Sequence, residues 1–295
     1  MTAPRQILPG ATYLVTRRCS ERRFFLRPSR ASEAIFLFVL AIAARRFGIR
    51  VHACCVLSNH FHLVVTDSEA RLPAFVQYLC SLVARATNAL LGRWEAFWAP
   101  GSYSAVRLEA PEDIVAKTAY VLANPVAARL VRDGNEWPGL RTAPGQIGGT
   151  PLRADRPKTF FRSNGYLPGA AELKLSVPPG FVSGAEFRRQ VSAALLALEQ
   201  EAVGSKGAAV LGAAKVLAQK PWARPAPGEP RRVLNPRVAA RDKWKRIEAL
   251  SRLKEFLSAY RAAWNERRRG ALGVIFPAGT YLLRVLHHAQ CAAMA

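Results

Sequence analysis

The sequence predicts an α+β fold. A βαββαβ unit over residues 1–136 is expected to form a four-stranded antiparallel sheet with its helices on one face, followed by a mainly helical, basic C-terminal region. Three observations carry this. Apolar residues alternate in short runs and recur at helical spacing in the longer runs between them. Glycine, proline and a Ser-Asn pair punctuate the ends of those runs. Beyond about Gly134 the texture changes to chain rich in proline, glycine and polar residues.

In order along the chain, "ATYLVTRRC" (11–19) alternates as a strand. Ser32 is the expected N-cap of an apolar helix running to about Phe47 and stopped by Gly48. "IRVHACCVL" (49–57) and "HFHLVVTD" (60–67) read as two strands joined by the turn-prone Ser58-Asn59. A second helix spans about Leu72 to Leu91, ended by Gly92, and "YSAVRLEA" (103–110) alternates as the fourth strand. "PEDIVAKTAYVLANP" opens with proline and two acids, as a helix N-terminus does, and is expected to break at Pro125. The βαββαβ order is the ferredoxin-like pattern, and it leaves one sheet face open for a site.

Residues 137–182 read as a linker, with "APGQIGGTPLRADRPK" its plainest part. Residues 183–295 read as a basic, mainly helical accessory region. Ser183 and Glu186 form a capping box for a helix to about Ala202. A proline-rich basic stretch follows (220–237), then a long helix from about Ala240 to Arg269, ended by Gly270. Its Trp244, Ile247, Leu250, Leu253, Leu257, Tyr260 and Trp264 recur at steps of three and four and predict one apolar stripe. No internal repeat is visible.

Charge points to a partner. The 295 residues hold 43 Lys+Arg against 20 Asp+Glu, net +23, while half are hydrophobic, as in a globular protein. Residues 1–136 carry 17 basic against 10 acidic side chains, and residues 137–295 carry 26 against 10. Such a surplus attracts a polyanion, and phosphate attraction can supply much of the affinity for nucleic acid. A membrane fits less well. The longest apolar run, Ala34–Ala44, has 11 residues where a span needs about 20, and "MTAPRQ" lacks a signal-peptide core. A cytoplasmic, nucleoid-associated protein is expected. The five cysteines show no framework spacing and read as free thiols.

Chemistry concentrates in "LSNHFHLVVTD" (57–67). In a strand, residues two apart share a face with Cα atoms roughly 6.5–7 Å apart, so His60 and His62 can converge on one ion. Phe61, Leu63 and Val65 then point into the core. Taken alone, an H-x-H spacing is a weak signal, and a strand histidine is more often a hydrogen-bonded structural residue. In "TAYVLANP", Tyr120 and Asn124 lie one helical turn apart on one face. Asn124 offers an amide oxygen and Tyr120 a phenol able to attack phosphorus. Alternatively, Tyr120 is an aromatic on the buried face of its helix. Two imidazoles and one amide oxygen would suit Mg²⁺ or Mn²⁺, with positions left for phosphate oxygens and water.

"LSNHFHLVV", followed about sixty residues later by "AYVLANPVAARLV", resembles the single-tyrosine HUH transposases. It is closest to the REP-associated tyrosine transposases, in which an N-H-x-H-L strand precedes a Y-x-x-x-N-P-V helix. "YLVTRRCSERRFFL" resembles that branch's first strand, and the likeness covers roughly residues 7–140. The resemblance implies a ferredoxin-like fold and a divalent metal. It also implies cleavage and rejoining of single-stranded DNA at hairpin or palindromic repeats, through a 5′-phosphotyrosine that leaves a free 3′-OH. His60 and His62 match the metal pair, Asn124 the third ligand, and Tyr120 the nucleophile.

Arg17 and Arg18 on the first strand, with Lys243, Lys245, Arg246, Arg252 and Lys254 on the long helix, are the expected DNA contacts. The resemblance implies that minimal relatives dimerise while tailed ones can act alone, so homodimer and monomer are both compatible. There are departures. Leu122 stands where many relatives have histidine, and Arg129 where they often have glycine. Tyr103 is the nearest rival nucleophile, and "HHAQC" (287–291) is a weak metal-like cluster. The competing function is a non-catalytic DNA- or RNA-binding protein on a retired transposase domain. A replication or conjugation nickase shares the chemistry, but no helicase motif or second tyrosine beside Tyr120 is present.

Overall fold

The computed structural model describes residues 4–101, 103–204, 209–226 and 236–293; part of the proline-rich stretch 220–237 lies outside the described residues. The first unit runs β1 (Ala11–Arg18), α1 (Arg30–Phe47), β2 (Ile49–Leu57), β3 (His60–Asp67), α2 (Leu72–Leu91), β4 (Ser104–Leu108) and α3 (Pro111–Ala127). Its four strands are antiparallel in the order β2-β3-β1-β4, the ferredoxin-like arrangement. The chain continues through β5 (Leu152–Asp155), β6 (Ala170–Leu173), α4 (Gly184–Gly204), α5 (Ala213–Ala218), β7 (Val238–Ala239), α6 (Lys243–Arg268) and α7 (Leu282–His287). The fold class is therefore α+β, as the alternation predicts.

Phe61, Leu63 and Val65 of β3 are fully buried on the side of α1 and α2, where Phe61 meets Phe36 edge-on at 5.2 Å. Helix α1 is apolar almost all round because the β5–β6 segment covers its outer side, with Phe38 and Phe161 ring centroids 5.4 Å apart. Its N-cap is Ser29, not Ser32. Ser29 Oγ accepts the Ser32 N–H while Ser32 Oγ accepts the Ser29 N–H, a reciprocal box that moves the start back three residues. Among the described residues, α2 alone is long and apolar enough to cross a membrane. Phe75, Leu79, Val83 and Ala86 on one of its faces are fully buried in this core.

Pro125 does not end α3. It stands in the last turn, so little of the backbone ladder is lost, and the Ala128 N–H still reaches Asn124 O at 2.9 Å. Arg129 then takes the left-handed conformation (φ 56°) common just past a helix end, which explains a preference for glycine there.

Residues 137–182, expected as a linker, bond the edge of β2 at their two ends, near 137–142 and 175–176, while β5 and β6 between them cover α1. The Val56 N–H donates to Leu140 O, the Thr142 N–H to Cys54 O and the Ser176 N–H to Val51 O, each at 2.8–2.9 Å. Trp137 is buried and donates its indole N–H to Val56 O. An edge strand needs such partners, and short interrupted segments supply them without periodicity.

The sheet also gains a fifth strand, β7, parallel to β4. Two residues are too few for a pattern. Helix α4 starts as expected, with Ser183 Oγ accepting the Glu186 N–H, and packs along α3. Helix α6 is capped by Asp242 and buries Ala249, Phe256 and Ala263. The predicted stripe is rotated outward in its first half, with Trp244 73% exposed and Ile247 and Leu250 about half exposed. Alanines let the helix approach closely along the neighbouring line.

Candidate active site

The β1–β3 register pairs Thr16 with His62 and Arg18 with His60, so these four side chains share the sheet face turned toward α3. The imidazoles of His60 and His62 lie edge to face, centroids 4.8 Å apart. His62 Nδ1 is 2.8 Å from Thr16 Oγ1, and His60 Nδ1 is 2.6 Å from Asn59 Oδ1. Asn59 is itself fixed by its amide donating to Arg22 O. Each ring thus has one nitrogen engaged, which leaves Nε2 for a shared ligand. Burial, the neighbouring imidazole and the Arg18 cation push His60 down to about 3; burial and Arg18 push His62 down to about 4. Both rings are neutral at pH 7, as metal ligands must be.

Tyr120 completes the constellation. It is 41% exposed, the one exposed side chain between Thr118 and Val126, so it is not a core aromatic. Its ring meets His62 edge-on at 5.6 Å, and Lys117 Nζ lies 5.4 Å from its centroid. Asn124 is buried and donates through Nδ2 to Tyr120 O at 3.0 Å, which leaves Oδ1 as its acceptor. Two imidazole nitrogens and an amide oxygen fit an octahedral divalent ion with open positions, and an engaged outer nitrogen on each histidine is the usual support for such ligands. No cluster of three His, Cys, Asp or Glu occurs among the described residues; His60, His62 and Asn124 are the residues that could hold such an ion.

Tyr103 is set apart from this site. The residue after it, Ser104, pairs with Thr16, so Tyr103 sits on the other face, under the Arg5 guanidinium 4.1 Å away. Leu122 is fully buried and fills core. All five cysteines are unpaired.

The expected DNA contacts divide into two sets. Arg18 is exposed beside His60. Arg246 lines a cleft of about 570 Å³ that also reaches Tyr120, and Lys243 and Lys254 are exposed. The other three have their side chains bonded to named groups of the protein. Arg17 donates to Ala99 O and Gly101 O, Lys245 pairs with Glu112 at 2.8 Å, and Arg252 pairs with Glu109 at 2.8 Å. Sequence reasoning did not find Thr16, Lys117 or Arg241. Lys117 sits one turn before Tyr120 and was legible by that spacing; Thr16 required the strand register, and Arg241 the docking of α6.

No family model matches the chain, and no curated protein does. Among solved structures, the chain is similar to a REP-associated tyrosine transposase bound to a REP hairpin. That likeness has 17% identity and a TM-score of 0.40, and covers 47% of this chain and 81% of that one. It is also similar to a candidate transposase from Deinococcus radiodurans R1, at 20% identity and a TM-score of 0.27, over 32% of this chain and 76% of that one.

Proposed function

We propose that the protein cleaves and rejoins single-stranded DNA at hairpin or palindromic sites, with Tyr120 as nucleophile. The observation that carries this is an exposed tyrosine ring 5.6 Å from one of two paired imidazoles. The Tyr120 oxygen attacks phosphorus in line and loses its proton. The bond to the 3′ oxygen breaks, that oxygen takes up a proton, and a 5′-phosphotyrosine remains. The ester conserves bond energy, so the reverse attack by a 3′-OH rejoins DNA without ATP. His60, His62 and Asn124 would hold Mg²⁺ or Mn²⁺, which supplies Lewis-acid polarisation of the phosphate when bound. Arg18, beside His60, is placed to meet a phosphate oxygen.

The test is incubation with a single-stranded hairpin DNA and Mn²⁺, read on a denaturing gel. A covalent adduct is expected in the wild type. It should be absent in Tyr120→Phe, in His60→Ala/His62→Ala and with chelator, while DNA binding persists. Tight binding with no adduct would favour the non-catalytic reading. Mass spectrometry placing DNA on any residue but Tyr120 would remove the nucleophile assignment.

A further inference from the structure

The cleft beside Tyr120 has three walls. Asp113, Ala116, Lys117 and Tyr120 of α3 lie on one helical face, as do Ala194, Ala197, Leu198 and Glu201 of α4. The third wall is the segment from Ala239 to Arg246 that leads into α6. Two contacts hold that segment against α3. The Arg241 N–H donates to Asp113 Oδ1 at 2.7 Å, and Lys245 bonds Glu112. Two of the three walls therefore come from outside the ferredoxin-like unit. A volume of about 570 Å³ falls within the ~300–1,000 Å³ typical of pockets that bury small organic ligands.

The lining is chemically divided. Alanines of α3, α4 and the 239–240 pair make a small-residue, apolar floor, and Lys117, Arg241 and Arg246 place cations along it. Of the two carboxylates, Asp113 is buried and bonded to the Arg241 backbone, and Glu201 stands at the exposed rim. A flat apolar group flanked by a phosphate matches this division, because single-stranded nucleic acid presents bases to apolar surface and backbone to cations.

We propose that this cleft seats the single-stranded DNA segment adjoining the phosphate presented to Tyr120, its base on the alanine floor and its phosphate at Arg246 and Lys117. The inference rests on the strand-transfer reading for its location only. It makes the C-terminal half a wall of the active site as well as a basic surface. The α4 and α6 contributions would govern which unpaired nucleotides are accepted.

The test measures binding, not chemistry. Full-length Tyr120→Phe protein is titrated with a short fluorescent single-stranded oligonucleotide and, separately, with a hairpin lacking any single-stranded flank. Ala197→Trp, which fills the cleft and excludes the base, should weaken the single strand about tenfold, or about 1.4 kcal/mol. Arg246→Ala should weaken it about fivefold and lower the slope of log affinity against log salt by about 0.7. The flankless hairpin should change less than about twofold in both. If Ala197→Trp melts early, Arg246→Ala decides the question, since that side chain is exposed. Unchanged single-strand affinity in the folded variants, or equal losses for strand and hairpin, would overturn the cleft. No adduct in the wild type together with the affinity losses would remove the strand-transfer reading and leave the cleft standing.

Discussion

His52, His60 and His62 are three neutral imidazoles on adjacent strands, and their hydrogen bonds separate their roles. His52 sits at the β2 bulge with both nitrogens used: Nδ1 donates to Ser176 O and Nε2 accepts from Thr66 Oγ1, each at 2.7 Å. It is saturated and structural. His60 and His62 each keep one nitrogen available, and that distinction an H-x-H spacing cannot show. His52 also carries a pH signature. Burial lowers its pKa from 6.5 to about 4. The unfolded chain therefore binds more protons in this window, so the contribution is fully present above about pH 6.5 and is lost as pH falls toward 4. At pH 5 the loss has reached about 2 kcal/mol. Urea unfolding at neutral pH and near pH 5 should show a smaller acid loss in His52→Gln than in the wild type; equal losses would place the acid sensitivity elsewhere.

At the scale of elements, α6 is held by charges that resemble a DNA-binding face in the sequence. The Glu109 side chain, 5% exposed, faces Arg107 at 2.9 Å and Arg252 at 2.8 Å. Glu109→Gln leaves two guanidinium groups beside a neutral amide. Because Arg252 is 46% exposed, the cost is discounted to about 1–2 kcal/mol. Hydrogen exchange in α6 should quicken in this variant, and unchanged protection would show that apolar packing alone docks the helix. The bounds of β2, β3 and α2 were legible residue for residue, since strong patterns there end on Ser58-Asn59 and Gly92. Residues 137–142, β7 and the buried line of α6 were not, because their partners are distant strands and local pattern records none of them. The same holds for the site. Spacing revealed His60, His62, Tyr120 and Asn124 as candidates, whereas the cleft needs three separated segments to exist.

Across the whole molecule, the cations behind the net charge of +23 fall into two groups that the fold separates. Arg17, Arg141, Lys245 and Arg252 are engaged by carbonyls and carboxylates within the protein. Lys243, Arg246 and Lys254 stand exposed along one helix and are open to phosphates. Counterion release links the second group to salt: removing one cation that meets a phosphate should lower the slope of log affinity against log salt by about 0.7 for single strands and about 0.9 for duplex. Lys243→Ala/Arg246→Ala/Lys254→Ala should therefore flatten the slope by about 2 while leaving the melting temperature close to that of the wild type. Lys245→Ala and Arg252→Ala should do the reverse, lowering the melting temperature with little change of slope. Truncation near residue 140 cannot make this distinction, because it strips β7 from β4 and the 142–176 segment from β2. If the exposed triple variant keeps the full salt slope, the phosphates are met elsewhere on the surface, and α6 serves the fold through its ion pairs and its buried face.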